Sequence, residues 1–525
     1  MNNLKFFKYI AVMFTLLLTL LVMNNCSDFL NNPIEGQVPV DEIDYTDDSR
    51  MFEPVASVYD QAGSGTFNHW SNKAMLRFRS DFVFKAGHAG DQPIMEDIQD
   101  FVYETMRNAW FVNNLWHQHY TLIRDANASL QELEKFGEHT TDTARLQMYM
   151  AEIRWFRATA YWRLLRFYEN IPYYDADVIA AELRLSPRQE VYEYVVSELT
   201  EILDHLQDGH PSHLTERRGA VTKWAAHMVL TKLAADFRDY DLMHEHSQAI
   251  IQSGLFSLYP DYYELFKYAG QLSDESIFEL QFTDFGQSSG DHKAIGQLYN
   301  FDGIKQTGGT KYDGSGFTSG WGFSMPAQKF IDLMEDRGEG IRYETTIIPQ
   351  NTATAEGDSI GRIPADLQDL LDRYNREGRG VAEKFFFKTY IPYRDQTPGR
   401  HRFGGYNNLR MFRYADALLL YAEALVHLNG PGAGDTYINE VRDRAGMPPI
   451  SGADIDDILE ERAAELTFEW GEDRFFDLVR LDRAEGTIPF FRSGDHEFYP
   501  IPVAQIDSQP GLEEPPVPGI EPPKP

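Results

Sequence analysis

Long amphipathic segments joined by short turns limit most strongly what this chain can fold into. Residues 116–136 and 142–168 both carry apolar residues at spacings of three and four, which is the periodicity of a helix with one buried face. Because most such segments are separated by short turns, neighbouring helices are predicted to pack as antiparallel pairs. Further segments of this kind are 189–206, 220–237, 242–252, 414–428, 436–445 and 455–470.

Small residues in two of these pairs would let the helices approach closely, as in a tetratricopeptide unit. One pair has alanines at 225–226 and 234–235, followed by small residues in 247–254, and the other has alanines in 415–424 followed by 437–445. The repeats are degenerate and far apart in sequence. A helical scaffold interrupted by insertions is therefore expected, and not a regular solenoid.

The insertions differ in composition from the helices. Residues 276–282 alternate in polarity and are β-like, whereas 286–322 are rich in Gly, Ser and Thr with aromatic residues interspersed. A long polar loop of this kind is costly to order unless it has a function. Residues 351–363 form a second predicted loop, and 509–525 form a Pro-rich acidic tail without core-forming residues.

The only cysteine, Cys26, follows two lysines and an apolar run. This arrangement predicts a lipoprotein signal at 1–25, a lipidated flexible tether at 26–50 and a folded body at 51–508. The alternatives are an uncleaved anchor helix or a buried thiol, although the apolar run is short for a membrane-spanning helix, which needs about 20 residues. With one cysteine, no disulfide can form within the chain.

The formal net charge of −33 argues against nucleic acid and anionic lipid as partners, since both attract basic surfaces. A neutral or weakly charged ligand fits this composition better. A local basic patch could still overrule the global charge for a polyanionic ligand.

Three motifs resemble chemical sites but lack the context that each one needs. Residues 286–290 satisfy G-x-S-x-G, yet no helix follows the serine. His244 and His246 lack the H-E-x-x-H spacing of a zinc site and are interpreted as surface histidines. The acidic clusters lack a calcium-loop pattern, and no carboxylate pair stands out as that of a glycosidase. No catalytic residue, metal or cofactor is predicted.

Aromatic residues among small and polar residues are the best candidates for a ligand site. Sugar rings stack their C–H faces on aromatic rings, while amides, carboxylates and guanidinium groups bind their hydroxyls. Trp70 lies in a predicted loop at 63–72, and Trp110 lies ahead of the first long predicted helix. Packing is the alternative role for each aromatic residue. The predicted ligand-binding residues are Trp70, Arg77, Asp81, Trp110, Asn113, Tyr312 and Trp321.

Several segments, in order, resemble the SusD/RagB family of outer-membrane glycan-binding lipoproteins of Bacteroidetes. Besides the start at Cys26, similarity lies in EIRWFRATAYWRLLRFYENIPYY, ESIFELQF, FRYADALLLYAEALVHLNG and, most strongly, ILEERAAELTFEWGEDRFFDLVR followed by YPIPVAQIDSQPGL. The resemblance implies a mostly α, SusD-like fold. In this fold four tetratricopeptide-like helix pairs support a loop-rich ligand-binding half with short β-strands.

The same resemblance implies a function. The protein would be a non-enzymatic, lipid-anchored protein on the outer face of the outer membrane. It would capture oligosaccharide or polysaccharide and deliver it to a SusC-like TonB-dependent transporter. The alternatives are a surface glycoside hydrolase or other degradative enzyme, and a peptide- or glycoprotein-binding family member.

The C-terminal charged block has a structural interpretation. Its charges alternate in sign on a predicted helix and the turn after it, with aromatic residues expected to pack beneath them, so we expect the charges to form structural pairs and not to catalyse a reaction. The residues concerned are Glu461, Arg462, Glu465, Glu469, Arg474, Asp477 and Arg480.

Overall fold

The computed structural model describes residues 43–87, 90–174, 183–282, 301–302, 321–349, 352–353, 359–360, 365–378, 384–389, 391, 395, 407–471, 473–513 and 515–516. Cys26 with the predicted signal, Tyr312 and the serine motif at 286–290 lie outside the described residues. The described part is mainly helical with short strands, which confirms the predicted fold class.

The first helices are short and lead into one long pair. They are α1 (Glu53–Asp60), α2 (Trp70–Arg77), α3 (Ile94–Gln99) and α4 (Tyr103–Met106). The long pair consists of α5 (Trp110–Gly137) and α6 (Thr143–Phe167), which pack against each other as predicted. The Asp142 side chain accepts a hydrogen bond from the backbone N–H of Arg145 at 3.1 Å and so caps α6.

The remaining helices mostly lie close to the ranges that the sequence predicted. They are α7 (Arg188–Ile202), α8 (Lys223–Phe237), α9 (Tyr240–Gln252), α10 (Tyr262–Leu265), α11 (Gln328–Asp336), α12 (Ile341–Thr346), α13 (Ala365–Arg376), α14 (Tyr414–Asn429), α15 (Asp435–Arg444), α16 (Ile455–Leu466), α17 (Arg474–Arg480) and α18 (Val503–Ser508). No described helix is both long enough and apolar enough to cross a membrane.

Consecutive helices pack as the pairs α5/α6, α8/α9 and α14/α15, and α7 packs on α6. In addition α9 packs against α14, which joins the second pair to the third although the insertions separate them in sequence. The connection between α8 and α9 is short, because Arg238 adopts a left-handed conformation (φ +59°) and Asp239 caps the next helix. Close helical hairpins of this kind form the scaffold.

The described residues contain eight short strands, and three of the four strand pairs connect regions that are distant in sequence. They are β1 (Val83–Lys85), β2 (Ser276–Leu280), β3 (Ser324–Pro326), β4 (Ile347–Pro349), β5 (Thr352–Ala353), β6 (Ser359–Ile360), β7 (Lys384–Phe386) and β8 (Leu409–Arg413). The antiparallel pairs are β1–β3, β2–β8, β4–β7 and β5–β6. The β1–β3 pair brings the chain after Gly322 close to the chain after α2.

The core centres on α6 and the strand pair β2–β8. Trp155, Phe156 and Trp162 of α6 are fully buried. The ring centroid of Trp155 lies 4.7 Å from that of Phe278 in β2. The prediction that α6 is a buried helix packed on α5 is confirmed.

The C-terminal charged block is buried and paired, as predicted. Glu465 accepts hydrogen bonds from Arg413 at 2.9 Å, from Arg342 at 3.3 Å and from Arg444. Burial by itself would raise the pKa of Glu465, but the attraction of Arg444, Arg413 and Arg342 outweighs it and lowers the pKa. Arg462 likewise bridges Asp416 at 2.6 Å and Asp477 at 2.8 Å.

Three boundaries differ from the sequence predictions. The helix predicted to reach residue 470 ends at Leu466, because Thr467 is extended and Phe468 has a φ of +73°. Within the predicted tether, the ring of Tyr45 packs 5.0 Å from that of Phe136. Leu512, in the tail expected to lack core residues, is 2% exposed. Both ends of the described chain therefore contribute to the packed body.

Candidate functional site

Three of the predicted ligand-binding residues meet on one surface. The ring centroid of Trp70 lies 5.3 Å from that of Trp110 and 5.8 Å from that of Trp321. Trp110 is 46% exposed, and the other two are half-buried. We call these three residues the tryptophan cluster.

A buried aromatic floor supports the cluster. Trp70 packs edge-on against Phe111 at 5.3 Å and nearly parallel to Phe323 at 6.2 Å. It also stacks on Phe301 at 6.1 Å. All three phenylalanines are buried. The floor fixes the tryptophan rings, and fixed rings lose little conformational entropy when a ligand stacks on them.

Two tryptophans occupy the starts of helices, not the loops that the sequence indicated. Trp70 is the first residue of α2, which His69 caps by accepting a hydrogen bond from Ser71 N at 3.2 Å. Trp110 is the first residue of α5. Trp321 precedes β3, and the backbone N–H of Phe323 donates to the carbonyl of Phe301 at 3.2 Å. Regular structure on three separate segments therefore positions the cluster.

Polar side chains lie beside the tryptophan rings. Asn113 is half-buried and one helical turn from Trp110, and its Oδ1 accepts a hydrogen bond from Gln505 at 2.9 Å. Asn114 donates to Ser71 at 2.8 Å. Burial lowers the pKa of His69, so its ring is neutral near pH 7. This edge of the cluster presents uncharged donors and acceptors.

Two predicted ligand-binding residues, Arg77 and Asp81, are not placed to contact a ligand. Arg77 is fully buried, forms an ion pair with Asp302 and stacks 3.7 Å over the ring of Phe468. Asp81 accepts hydrogen bonds from Arg474 at 3.1 Å. Buried charges depend on their partners, so these two residues stabilise the fold, and their assignment to the site is corrected. Tyr312 lies outside the described residues.

Sequence reasoning missed the floor and part of the polar edge. Phe111 follows Trp110 directly, and Phe323 lies two residues after Trp321, a spacing that puts both side chains on one side of an extended chain. The spacing of Trp321 and Phe323 could have indicated from the sequence that Phe323 supports the tryptophan ring. Nothing local indicated Gln505, because α18 approaches α5 only through the tertiary fold.

The histidine motif has a structural role in the fold. His246 is 3% exposed, and its Nδ1 lies 2.9 Å from Nδ1 of His227, so its interpretation as a surface histidine is wrong. Burial lowers the pKa of His227 to about 3, with a smaller contribution from the neighbouring His246. Within the described residues, no three His, Cys, Asp or Glu side chains are grouped as metal ligands would be.

Comparison with known proteins finds relatives that are named SusD or SusD-like. The chain is 25% identical over 490 residues to SusD-like protein P25 of Formosa agariphila, covering 87% of this chain and 88% of that protein. It is 24% identical over 374 residues to the starch-binding protein SusD of Bacteroides thetaiotaomicron, covering 66% of each.

Solved structures share the fold. A laminarin-binding SusD-like protein matches with a TM-score of 0.71 and 22% identity, over 88% of this chain and 98% of that one. The surface glycan-binding protein A from Bacteroides fluxus matches with the same TM-score and identity, over 89% and 98%.

Two family models match separate parts of the chain. Residues 58–234 match a model described as starch-binding and associating with the outer membrane. Residues 274–490 match the SusD family model. The two ranges together cover most of the chain and both models describe SusD-type proteins, so the chain belongs to the SusD/RagB family.

Proposed function

We propose that this protein binds carbohydrate at the cell surface and holds a glycan on the tryptophan cluster. The observation that carries the proposal is the convergence of Trp70, Trp110 and Trp321 on one surface, with Trp110 46% exposed. Exposed aromatic groups of this size on a soluble body are typical of binding sites.

The chemistry of the surroundings favours a sugar over a purely apolar ligand. A sugar ring has an apolar C–H face for the tryptophans and hydroxyls that need donors and acceptors. Asn113, Asn114 and Gln505 supply amide groups at the edge of the cluster. Aromatic surfaces with a few convergent polar groups are the usual elements of a small-molecule site.

The relatives support the same proposal. One of them is named for starch and one solved structure for laminarin, and both ligands are neutral glucans. The net charge of the whole chain, −33, also favours a neutral ligand at the tryptophan cluster. We assign no catalytic residue, because the buried carboxylates of the charged block are engaged by arginines.

The proposal extends to anchoring and transport. Lipidation of Cys26 would hold the protein on the outer face of the outer membrane, and a SusC-like TonB-dependent transporter would receive the glycan. The description of the matched family model supports the outer membrane, and the family resemblance supports the lipid anchor and the transporter.

Trp110→Ala is expected to weaken glycan binding about 5- to 150-fold, or 1–3 kcal/mol, by analogy with the stacking of a base on an aromatic side chain. The removed ring contributes to the surface and little to the core, so the fold should remain. Titration calorimetry with laminarihexaose and maltohexaose, or with whichever neutral oligosaccharide binds the parent protein, measures the change.

Phe490→Ala is the matched control, because Phe490 is 56% exposed but lies outside the cluster. Trp321→Ala tests the second ring in the same way. Unchanged affinity in both tryptophan variants, each with a parent-like melting temperature, would contradict the site.

Cys26→Ala is expected to release the protein from membranes, because a lipidated cysteine is the proposed anchor. Several acyl chains bind a membrane firmly, at about 0.8 kcal/mol per buried CH2. Fractionation in a host that lacks the transporter, with labelled palmitate, measures both release and lipid attachment. Unchanged recovery of the variant in the membrane fraction would rule out the anchor.

A further inference from the structure

A cavity of about 150 Å³ lies between α5, α18 and the segment that follows α6. Trp116 and Tyr120 of α5 and Tyr174 of the segment after α6 form its aromatic walls, and the exposed His117 lies at its open side. An apolar cavity of about this volume accepts benzene. The cavity therefore has room for one six-membered ring, with the ring's substituents directed to the open side.

The aromatic walls are held in place by the fold. The ring centroid of Tyr120 lies 4.8 Å from that of Trp116 and 6.0 Å from that of Tyr174, to which it is nearly parallel. The Tyr120 hydroxyl donates a hydrogen bond to the carbonyl of Pro172 at 2.8 Å. Trp116 is 3% exposed, whereas both tyrosines are half-buried and keep accessible surface. The tyrosines can receive the C–H face of a sugar ring at little cost in conformational entropy.

Polar groups with unused hydrogen-bonding capacity converge on the same cavity. The side chains of His117, Thr121 and Gln509 form no hydrogen bond with any described residue, and neither does the hydroxyl of Tyr174. All four residues are exposed or half-buried. Gln505 donates from Nε2 to Asn113, which leaves its Oε1 to accept. Hydroxyl, imidazole and amide groups are the donors and acceptors that sugar hydroxyls need.

The charges around the cavity favour a neutral ligand. Among its described lining residues, Arg124 is the one arginine, and there is no lysine, aspartate or glutamate. The Arg124 guanidinium is 65% exposed and lies 2.8 Å from the carboxylate of Asp125, which compensates its charge. The cavity thus combines aromatic walls with polar groups, as the tryptophan cluster does.

The cavity continues the tryptophan cluster along one face of α5. Five exposed or half-buried residues follow one another at spacings of three and four, which places them on the same face of a helix: Trp110, Asn113, His117, Thr121 and Arg124. Gln505 joins the two regions, because it binds Asn113 and also lines the cavity. At 1.5 Å per residue, Trp110 and Thr121 are roughly 16 Å apart along the helix. One sugar ring cannot span that distance, but several linked rings can.

We propose that this cavity is a second subsite for the same glycan. The ligand is then a neutral oligosaccharide of several linked units, or a segment of a polysaccharide, that runs from the tryptophan cluster along α5. One unit lies against Tyr120 and Tyr174, and its hydroxyls bind Thr121, Gln505 and Gln509. The inference rests on the proposed carbohydrate-binding function and extends it to the length of chain that the protein recognises.

Binding should depend on the length of the oligosaccharide. We expect laminarihexaose or maltohexaose, whichever the full mature protein binds, to bind at least about tenfold more tightly than laminaribiose or maltose, since a chain that reaches both subsites gains contacts that a disaccharide lacks. Titration calorimetry measures the ratio. A hexasaccharide that binds no more tightly than its disaccharide would overturn the inference.

Variants of the cavity separate a second subsite from the several registers that a long chain has on one short site. Tyr174→Ala is expected to weaken hexasaccharide binding at least about fivefold, by analogy with base stacking on an aromatic side chain. Gln509→Ala is expected to weaken it about 2- to 12-fold through the loss of a hydrogen bond. Both variants should bind the disaccharide as the parent protein does, because the tryptophan cluster holds it.

Gln252→Ala is the matched control for Gln509→Ala, because Gln252 is exposed at the end of α9 and outside the cavity. If Tyr174→Ala does not fold, Gln509→Ala decides the matter, since its side chain is half-buried and makes no described contact that the fold needs. A hexasaccharide affinity that is unchanged in the folded cavity variants would overturn the inference.

The tryptophan variants separate this inference from the proposed function. If Trp110→Ala and Trp321→Ala weaken binding and the cavity variants do not, the second subsite fails and the tryptophan site stands. If the cavity variants weaken hexasaccharide binding and the tryptophan variants do not, the cavity stands as a sugar site and the assignment to the cluster fails. If the parent protein binds no neutral hexasaccharide, the inference falls together with the proposed function.

Discussion

Glu465→Gln is expected to lower the free energy of unfolding by about 3–5 kcal/mol, the usual cost of removing one partner from a buried ion pair. Glu465 is fully buried and holds Arg413, Arg444 and Arg342 together. Glutamine keeps the shape of the side chain but not its charge, so three buried guanidinium groups lose a shared counter-ion. The midpoint of urea unfolding measures the loss.

Glu460→Gln is the matched control on the same helix. Its side chain is 55% exposed and lies 3.5 Å from Arg337. An exposed pair of this kind contributes about 0–1 kcal/mol, so its midpoint should stay close to that of the parent protein. If the two variants unfold at the same urea concentration, the buried network does not stabilise the fold as described.

Phe156→Ala is expected to cost about 3–5 kcal/mol of stability, because it removes a large ring from a packed core and leaves a cavity. Phe156 is fully buried, and its ring centroid lies 4.6 Å from that of Tyr59 and 4.9 Å from that of Trp155. The ring links α6 to α1, so its loss should loosen the long helix pair as well. Urea unfolding followed by circular dichroism measures the change.

Phe490→Ala removes an equally large ring from a site where Phe490 is 56% exposed, and we expect a change within about 0.5 kcal/mol. A Phe156→Ala midpoint no lower than that of Phe490→Ala would show that the α6 face is not the core.

The helices and the charged block were accessible from sequence because their signals are local. Apolar spacing of three and four residues indicated α6 to within one residue at each end. Alternating charges above aromatic residues indicated that Arg462 and Glu465 would each form structural ion pairs, and they pair with Asp416 and Arg413 respectively. Helix ends were less certain, since the left-handed backbone of Phe468, which follows the last turn of α16, has no sequence signature.

The site was only partly predictable. Small and polar neighbours singled out Trp70, Trp110 and Trp321, although two of them begin helices and do not lie in loops. The same local argument assigned Arg77 and Asp81 to the ligand site, and that assignment was wrong because both are buried in ion pairs. Their environment depends on Phe468 and Arg474, which come from the other end of the chain.

The sequence by itself determined the helical scaffold, because periodicity and small residues act over one or two helical turns. Only the tertiary structure decided which aromatic residues converge and which charges are buried. The β1–β3 pair carries the segment after Trp321 to the segment after Trp70, and Arg413 meets Glu275 only once β8 pairs with β2. Strand pairing between distant segments is set by the global packing of the chain, and no local pattern encodes it.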